Sequence, residues 1–296
     1  MSLFSLLGAL EIGLIFSLVA LGVFISFRLL RFPDLTVDGS FPLGGAVAAT
    51  LIAGGVDPFL ATIAATAAGA VAGLITGWLN VRLRIMDLLA SILMMIALYS
   101  VNLRIMGKPN VPLITEPTVF TILQPAWLSD YVARPLILVG VVVAVKLLLD
   151  WFLATQTGLA MRATGSNGRM ARSQGVNTGG MILAGMALSN ALVGLAGALF
   201  AQTQGGSDIS MGIGTIVIGL AAVIVGESIL PSRKLVLATL AVILGAIVYR
   251  FFIALALNSE FIGLKAQDLN LVTAVLVTIA LVIPMAKRRL VGKKGA

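Results

Sequence analysis

Two short runs hold most of the side chains that could handle a polar solute. One is Asp34-Leu35-Thr36-Val37-Asp38-Gly39-Ser40, and the other is Asp208-Ile209-Ser210-Met211-Gly212-Ile213-Gly214. Each sets acid, aliphatic, hydroxyl and glycine residues ahead of an apolar, Gly/Ala-rich segment. Broken helices of this kind leave backbone groups free, and inside a membrane such groups often line a transport pathway. The same residue types also make ordinary helix N-caps. Thr36, Asp38, Ser40, Asn190, Gln202 and Ser210 are therefore candidates for a translocation path. Lone amides such as Asn190 and Gln202 more often hydrogen-bond between helices. Glu11, an acid within an apolar run, belongs in a bundle interior, in a pathway or near the outer headgroups. Lys146 and Asp150 are four residues apart and can pair on one helix in a structural role. The chain has no His and no Cys. That removes zinc clusters, disulfides, thiolate nucleophiles and histidine bases together. No paired-acid motif replaces them, so no catalytic residue, metal or cofactor is expected.

The elements that position these residues are membrane helices. Of 296 residues, 59% are hydrophobic and 11% are charged, and the mean hydropathy is +1.09. A soluble domain is about 45–50% apolar and about 25% charged. With roughly 20 apolar residues per crossing, the composition leaves room for eight or nine spans and for no separate soluble domain. The apolar runs predict about nine crossings, at 3–27, 35–53, 59–81, 86–106, 135–153, 181–202, 210–225, 235–257 and 269–285. The fold class is all-α: a polytopic membrane helix bundle with broken helices, in one unit over 1–296. The two broken runs precede helices that run in opposite directions, as an inverted internal repeat would. The first segment lacks a basic n-region and a clear cleavage site, so it reads as a retained helix rather than a signal peptide.

Charge orients the bundle. The net +8 would point to nucleic acid in a soluble protein. In a membrane protein it marks cytoplasmic loops. With the basic C-terminal tail inside, Arg28, Arg31, Arg82, Arg84, Arg162, Arg169, Arg172, Arg233 and Lys234 all fall inside, and the N-terminus falls outside. Arg250 lies near an outer end, where it can snorkel.

Gly69, Gly73 and Gly77 fall on one helical face and admit close approach of another backbone. Contact within one bundle is favoured over a dimer seam. The stretch 158–177, GLAMRATGSNGRMARSQGVN, is too polar for lipid. It predicts a short basic helix over 166–174, capped by Ser166 or Asn167 and bounded by Gly165 and Gly175. It is either a solvated basic loop or a docking helix for a soluble partner.

This stretch resembles the cytoplasmic coupling loop, here 155–178, of ATP-binding-cassette importer permeases of the branched-chain amino acid and ribose type. The resemblance rests on Gly158, Arg162-Ala163, Gly165-Ser166-Asn167, Ala171-Arg172 and Gly175-Val176-Asn177, and it extends over most of the chain. The run from Asp34 to Gly39 is similar to that of a subgroup labelled tryptophan/tyrosine or uncharacterised transport permeases. The resemblance implies a non-catalytic permease subunit in a bacterial inner membrane. It also implies a second permease chain, separate cytoplasmic ATPase subunits and a periplasmic or extracellular solute-binding protein as partners. ATP hydrolysis by this chain is not expected, since it has no GxxxxGK[ST] loop. An aromatic or other amino acid is the first expectation for the solute, by resemblance. An ion-coupled secondary transporter is the alternative, since inverted repeats and broken helices suit it equally.

Overall fold

A computed structural model describes residues 3–124, 129–232 and 234–258, with 275 and 278 as isolated positions. The expected ninth crossing at 269–285, the basic tail and Arg233 lie outside the described residues.

In chain order, α1 is Leu3–Val23 and continues into a π-helical turn, Phe24–Leu29. Then follow α2 (Val37–Ala53), α3 (Pro58–Val81), α4 (Asp87–Met106), β1 (Asn110–Pro112), α5 (Val119–Leu123) and α6 (Asp130–Ala154). The second half holds α7 (Gln156–Ser166), α8 (Gly168–Ser173), α9 (Thr178–Gln204), β2 (Gly206–Asp208), α10 (Thr215–Ile229) and α11 (Leu235–Asn258). Among the described residues, six helices are long and apolar enough to cross a membrane, and two shorter apolar ones, α2 and α10, accompany them. The chain is a multi-pass membrane helix bundle.

Helix ends follow local chemistry. Asp57 caps α3, accepting from Phe59 N at 2.9 Å, and Pro58 opens that helix. Gly107 closes α4 with φ 66°. The π-helical turn ends where Leu30 N reaches back to Ile25 O at 3.0 Å. Arg31 then takes φ 56°, which reverses the chain into the extended segment that leads to α2.

The second and seventh crossings are shorter than expected. α2 has 17 residues and α10 has 15, about 25 and 22 Å at 1.5 Å per residue. Each follows an irregular break that takes up part of the expected span. The loop between α4 and α6 is also more ordered than expected. β1 pairs antiparallel with β2, matching Val111 to Ser207, and Thr118 caps α5.

Packing gives the repeat a physical form. α1 packs on α10 and α11, whereas α9 packs on α2 and α3. The units α1–α2–α3 and α9–α10–α11 therefore exchange their first helices. The two breaks fold alike at their start. Thr36 N donates to Asp34 Oδ1 at 3.0 Å, and Ser210 N donates to Asp208 Oδ1 at 2.8 Å. Gly39 N reaches Thr36 O at 2.9 Å, and Ile213 N reaches Ser210 O at 3.1 Å.

The three-glycine face of α3 meets α9. A Cβ at Gly69 would overlap the Asn190 carbonyl oxygen, and one at Gly73 would overlap that of Met186. This is contact within one bundle. The core between α1, α2 and α9 includes Phe16, Phe41 and Phe200, with Phe41 and Phe200 centroids 5.4 Å apart.

Candidate functional site

Two regions hold the residues singled out from the sequence. The first is the junction of the two breaks. Asp38 lies in the first turn of α2, yet its carboxylate caps the other break's helix. It accepts from Ile216 N at 2.7 Å and from Gly214 N at 3.3 Å. An acid at a helix N-terminus satisfies free N–H groups and complements the helix dipole. Pro42 has no N–H to offer Asp38 O within α2. Gly212 fills that space instead: a Cβ there would overlap Asp38 O and stand 2.5 Å from Pro42 Cδ.

Behind the junction lies a buried polar layer. Asp34 is 2% exposed and Asn190 0%. Asn190 Nδ2 donates to Asp34 Oδ2 at 2.8 Å, and Ser40 Oγ donates to Asn190 Oδ1 at 2.7 Å. The Thr36 and Thr76 hydroxyls are 2.9 Å apart. Among the described residues no cation pairs with Asp34, so neutral donors carry its hydrogen bonding. Gln202 ties three elements together: it accepts from Val119 N at 2.9 Å and donates to Thr62 Oγ1 at 2.9 Å.

The candidates thus divide. Thr36, Ser40, Asn190 and Gln202 are buried in hydrogen bonds between elements, Asp38 caps α10, and Ser210 is exposed. Ser210 Oγ also hydrogen-bonds Asp208, and these bonds hold the Asp208 carboxyl below its ordinary range. Asp34 and Thr76 escaped the sequence-based selection of path candidates. Asp34 was visible in its run, but nothing local marks Thr76.

The second region is the polar stretch. It forms two helices, not one. α7 precedes α8, and the helix expected at 166–174 spans Gly168–Ser173. Asn167 is its cap, accepting from Met170 N at 3.1 Å. Ser166 is instead the exposed last residue of α7. Gly175 closes α8 with φ 84°. Ala171 is buried, Ala163 is exposed, and Arg172 Nη2 donates to Thr178 Oγ1 at 3.0 Å. Asn177 caps α9, accepting from Gly180 N at 3.0 Å. Gly158 lies against Leu153, with its Cβ position 2.6 Å from the Leu153 carbonyl. Among the described residues nothing hydrogen-bonds the buried Arg162 Nε.

Gly165 is a contact point rather than a helix start. A Cβ there would overlap the Leu29 carbonyl oxygen and stand 2.8 Å from Leu30 Cα. Leu29 and Leu30 end the π-helical turn and open the first break. The polar helices therefore press directly on the segment leading to Asp34 and Asp38. Elsewhere, Arg28 Nε meets Glu227 at 2.7 Å, and Lys146 Nζ meets Asp150 Oδ2 at 2.5 Å. Arg250 stacks over the Phe16 ring at 5.8 Å. Among the described residues no group of acids could hold a metal ion.

Comparison with known proteins places the chain. Residues 5–284 match the family described as branched-chain amino acid transport system / permease component. A tyrosine transport system permease protein of Clostridioides difficile (strain R20291) is 38% identical over 265 residues, 90% of this chain and 86% of that protein. An uncharacterised protein of Rickettsia prowazekii (strain Madrid E) is 35% identical over 280 residues, 93% of this chain and 96% of that one. The ribose import permease protein of Escherichia coli (strain K12) is 27% identical over 267 residues, 86% of this chain and 78% of that protein. These relatives agree with the resemblance drawn from residues 34–39 and 158–177. The chain belongs to the branched-chain amino acid transport system permease family of ATP-binding-cassette transporters.

Proposed function

We propose that this chain is the membrane subunit of an ATP-driven importer and that two copies of it enclose the solute path. Separate ATPase subunits bind the face that carries α7 and α8, and a solute-binding protein delivers solute to the opposite face. The α7–α8 face is cytoplasmic, the N-terminus is external and the C-terminus internal. The membrane is the bacterial inner membrane.

One observation carries the reading: Gly165 rests on the Leu29 carbonyl, backbone on backbone. A push on α7–α8 from below reaches the end of the π-helical turn with no flexible side chain in between. From there the chain runs to Asp38, which holds the start of α10. Interiors transmit such displacements because they are close-packed. ATP-driven movement of a docked subunit would thus act on both breaks together.

The solute is an amino acid, with an aromatic one first. The similarity to a tyrosine permease supports this choice.

Purification from native membranes in mild detergent tests the assembly. A stoichiometric ATPase is expected to come with the chain. A pure permease that still transports its solute without any ATPase would overturn the proposal.

A further inference from the structure

The second break differs from the first in what covers it. At the first, Thr36 and Gly39 are buried, and Leu98 of α4 lies over Gly39. At the second, Ser210 is exposed and the Ile213 side chain is 74% exposed. Among the described residues no hydrogen bond reaches the carbonyls of Ile209, Met211 and Ile213.

This open backbone lies at membrane depth. Met211 packs on Gly45, eight residues before the end of α2, or about 12 Å along that helix. Gly212 lies on Asp38, fifteen residues before that end, or about 22 Å. From Thr215, α10 then runs 15 residues the other way, about 22 Å, to the side where Glu227 meets Arg28. In a hydrocarbon core about 30 Å thick, residues 211–214 sit near the middle. Free carbonyls there cannot face lipid, since each unsatisfied group costs several kcal/mol. They must line a wet cavity or meet a bound molecule.

We propose that Ser210, Ile213 and the free carbonyls of Ile209, Met211 and Ile213 form the solute contact halfway along the path. The site takes the ammonium group and apolar side chain of an amino acid. This rests on the importer reading above and adds the place and chemistry of contact. Carbonyl and hydroxyl oxygens accept hydrogen bonds and suit an ammonium donor. The Ile213 side chain offers the apolar surface. Asp208, whose carboxyl group accepts from Ser210 N and Oγ, adds acceptor oxygens at the head of the segment. Each exposed partner is matched by its buried counterpart in the first break, so the two breaks divide the work: one is sealed structure, the other contact.

The chain has no cysteine, so single cysteines report cleanly. Ser210→Cys and Ile213→Cys are placed in the assembled transporter in native membrane vesicles and treated with a charged, water-borne thiosulfonate. Leu148→Cys, on the exposed face of α6, serves as the lipid control. The expected result is labelling at least ten-fold faster at 210 and 213 than at 148, slowed several-fold by tyrosine. The des-amino analogue of tyrosine, which lacks the ammonium, should give no protection. Labelling at 210 and 213 no faster than at 148 would overturn the site, and so would equal protection by the two compounds. Ile213→Val covers the case in which a cysteine variant does not assemble: the ratio of tyrosine to alanine uptake should change at least three-fold. An unchanged preference would count against the site. ATP dependence of uptake by the unsubstituted transporter is read separately, so failure of the importer reading is distinguishable from failure of the site.

Discussion

Asp38 and Ile216 join the two broken helices: the carboxylate of one break accepts the N–H of the other's helix at 2.7 Å. The bond spans 178 residues of sequence and sits where α2 and α10 both begin. It makes the start of α10 depend on a residue in α2.

Removing that acceptor should loosen α10. Asp38→Ala leaves the Gly214 and Ile216 N–H groups without their cap, a loss of about 1–2 kcal/mol by the usual cost of a lost cap. The thermal midpoint of the purified chain in detergent should fall. Asp38→Asn retains one acceptor oxygen and should fall less. Equal midpoints for the unsubstituted chain and Asp38→Ala would show that the cap contributes nothing.

Asn190 should be harder to replace than its lone position implies. Asn190→Leu strands Asp34 Oδ2 and the Ser40 hydroxyl in a dry interior. Each stranded group costs about 1–3 kcal/mol. Differential scanning of the purified variant should show a drop well beyond that of Gln204→Leu at the exposed end of α9. A drop no larger than that control would count against the polar layer.

Glycines in the polar stretch should divide by contact. Gly165→Ala drives a methyl into the Leu29 carbonyl, whereas a Cβ at Gly168 meets nothing within 4 Å. ATP-dependent uptake should be lost or cut at least ten-fold in Gly165→Ala and kept in Gly168→Ala, with both chains inserted. Arg172→Ala, which loses the bond to Thr178, should also weaken uptake. Normal uptake and normal ATPase association in both Gly165→Ala and Arg172→Ala would refute the docking role of α7–α8.

The Lys146–Asp150 pair should behave as a buried ion pair. Thr239 Oγ1 adds a third bond, at 2.7 Å to Asp150 Oδ1, which ties α6 to α11. Asp150→Ala leaves a nearly buried ammonium unpaired and should cost about 3–5 kcal/mol. The double variant Lys146→Met with Asp150→Leu should recover most of that loss. Equal destabilisation of the single and double variants, measured by unfolding in detergent, would contradict the ion-pair role.

Much of this was legible in the sequence, for physical reasons. α3 and α4 lie within a residue of their expected ends because long apolar runs with flanking Asp57 and Gly107 leave little choice. The pairing of Lys146 with Asp150 followed from helical spacing alone. α7 was missed because Gly165 looks like a helix start. In the fold Gly165, like Gly158, lets a backbone come close. The cap from Asp38 to α10 was also hidden. An acid beside a helix start signals a local cap, and nothing local reveals that its partner is the other half of the chain. The polar candidates looked alike as small hydrophilic residues. Only packing separates buried Thr36, Ser40 and Asn190 from exposed Ser210.

The most direct measurement is uptake of labelled tyrosine into proteoliposomes that hold the permease with its ATPase, with the solute-binding protein outside. The account predicts uptake that requires ATP inside and persists when ionophores collapse every ion gradient. Uptake that continues without ATP and stops when the gradients collapse would contradict it.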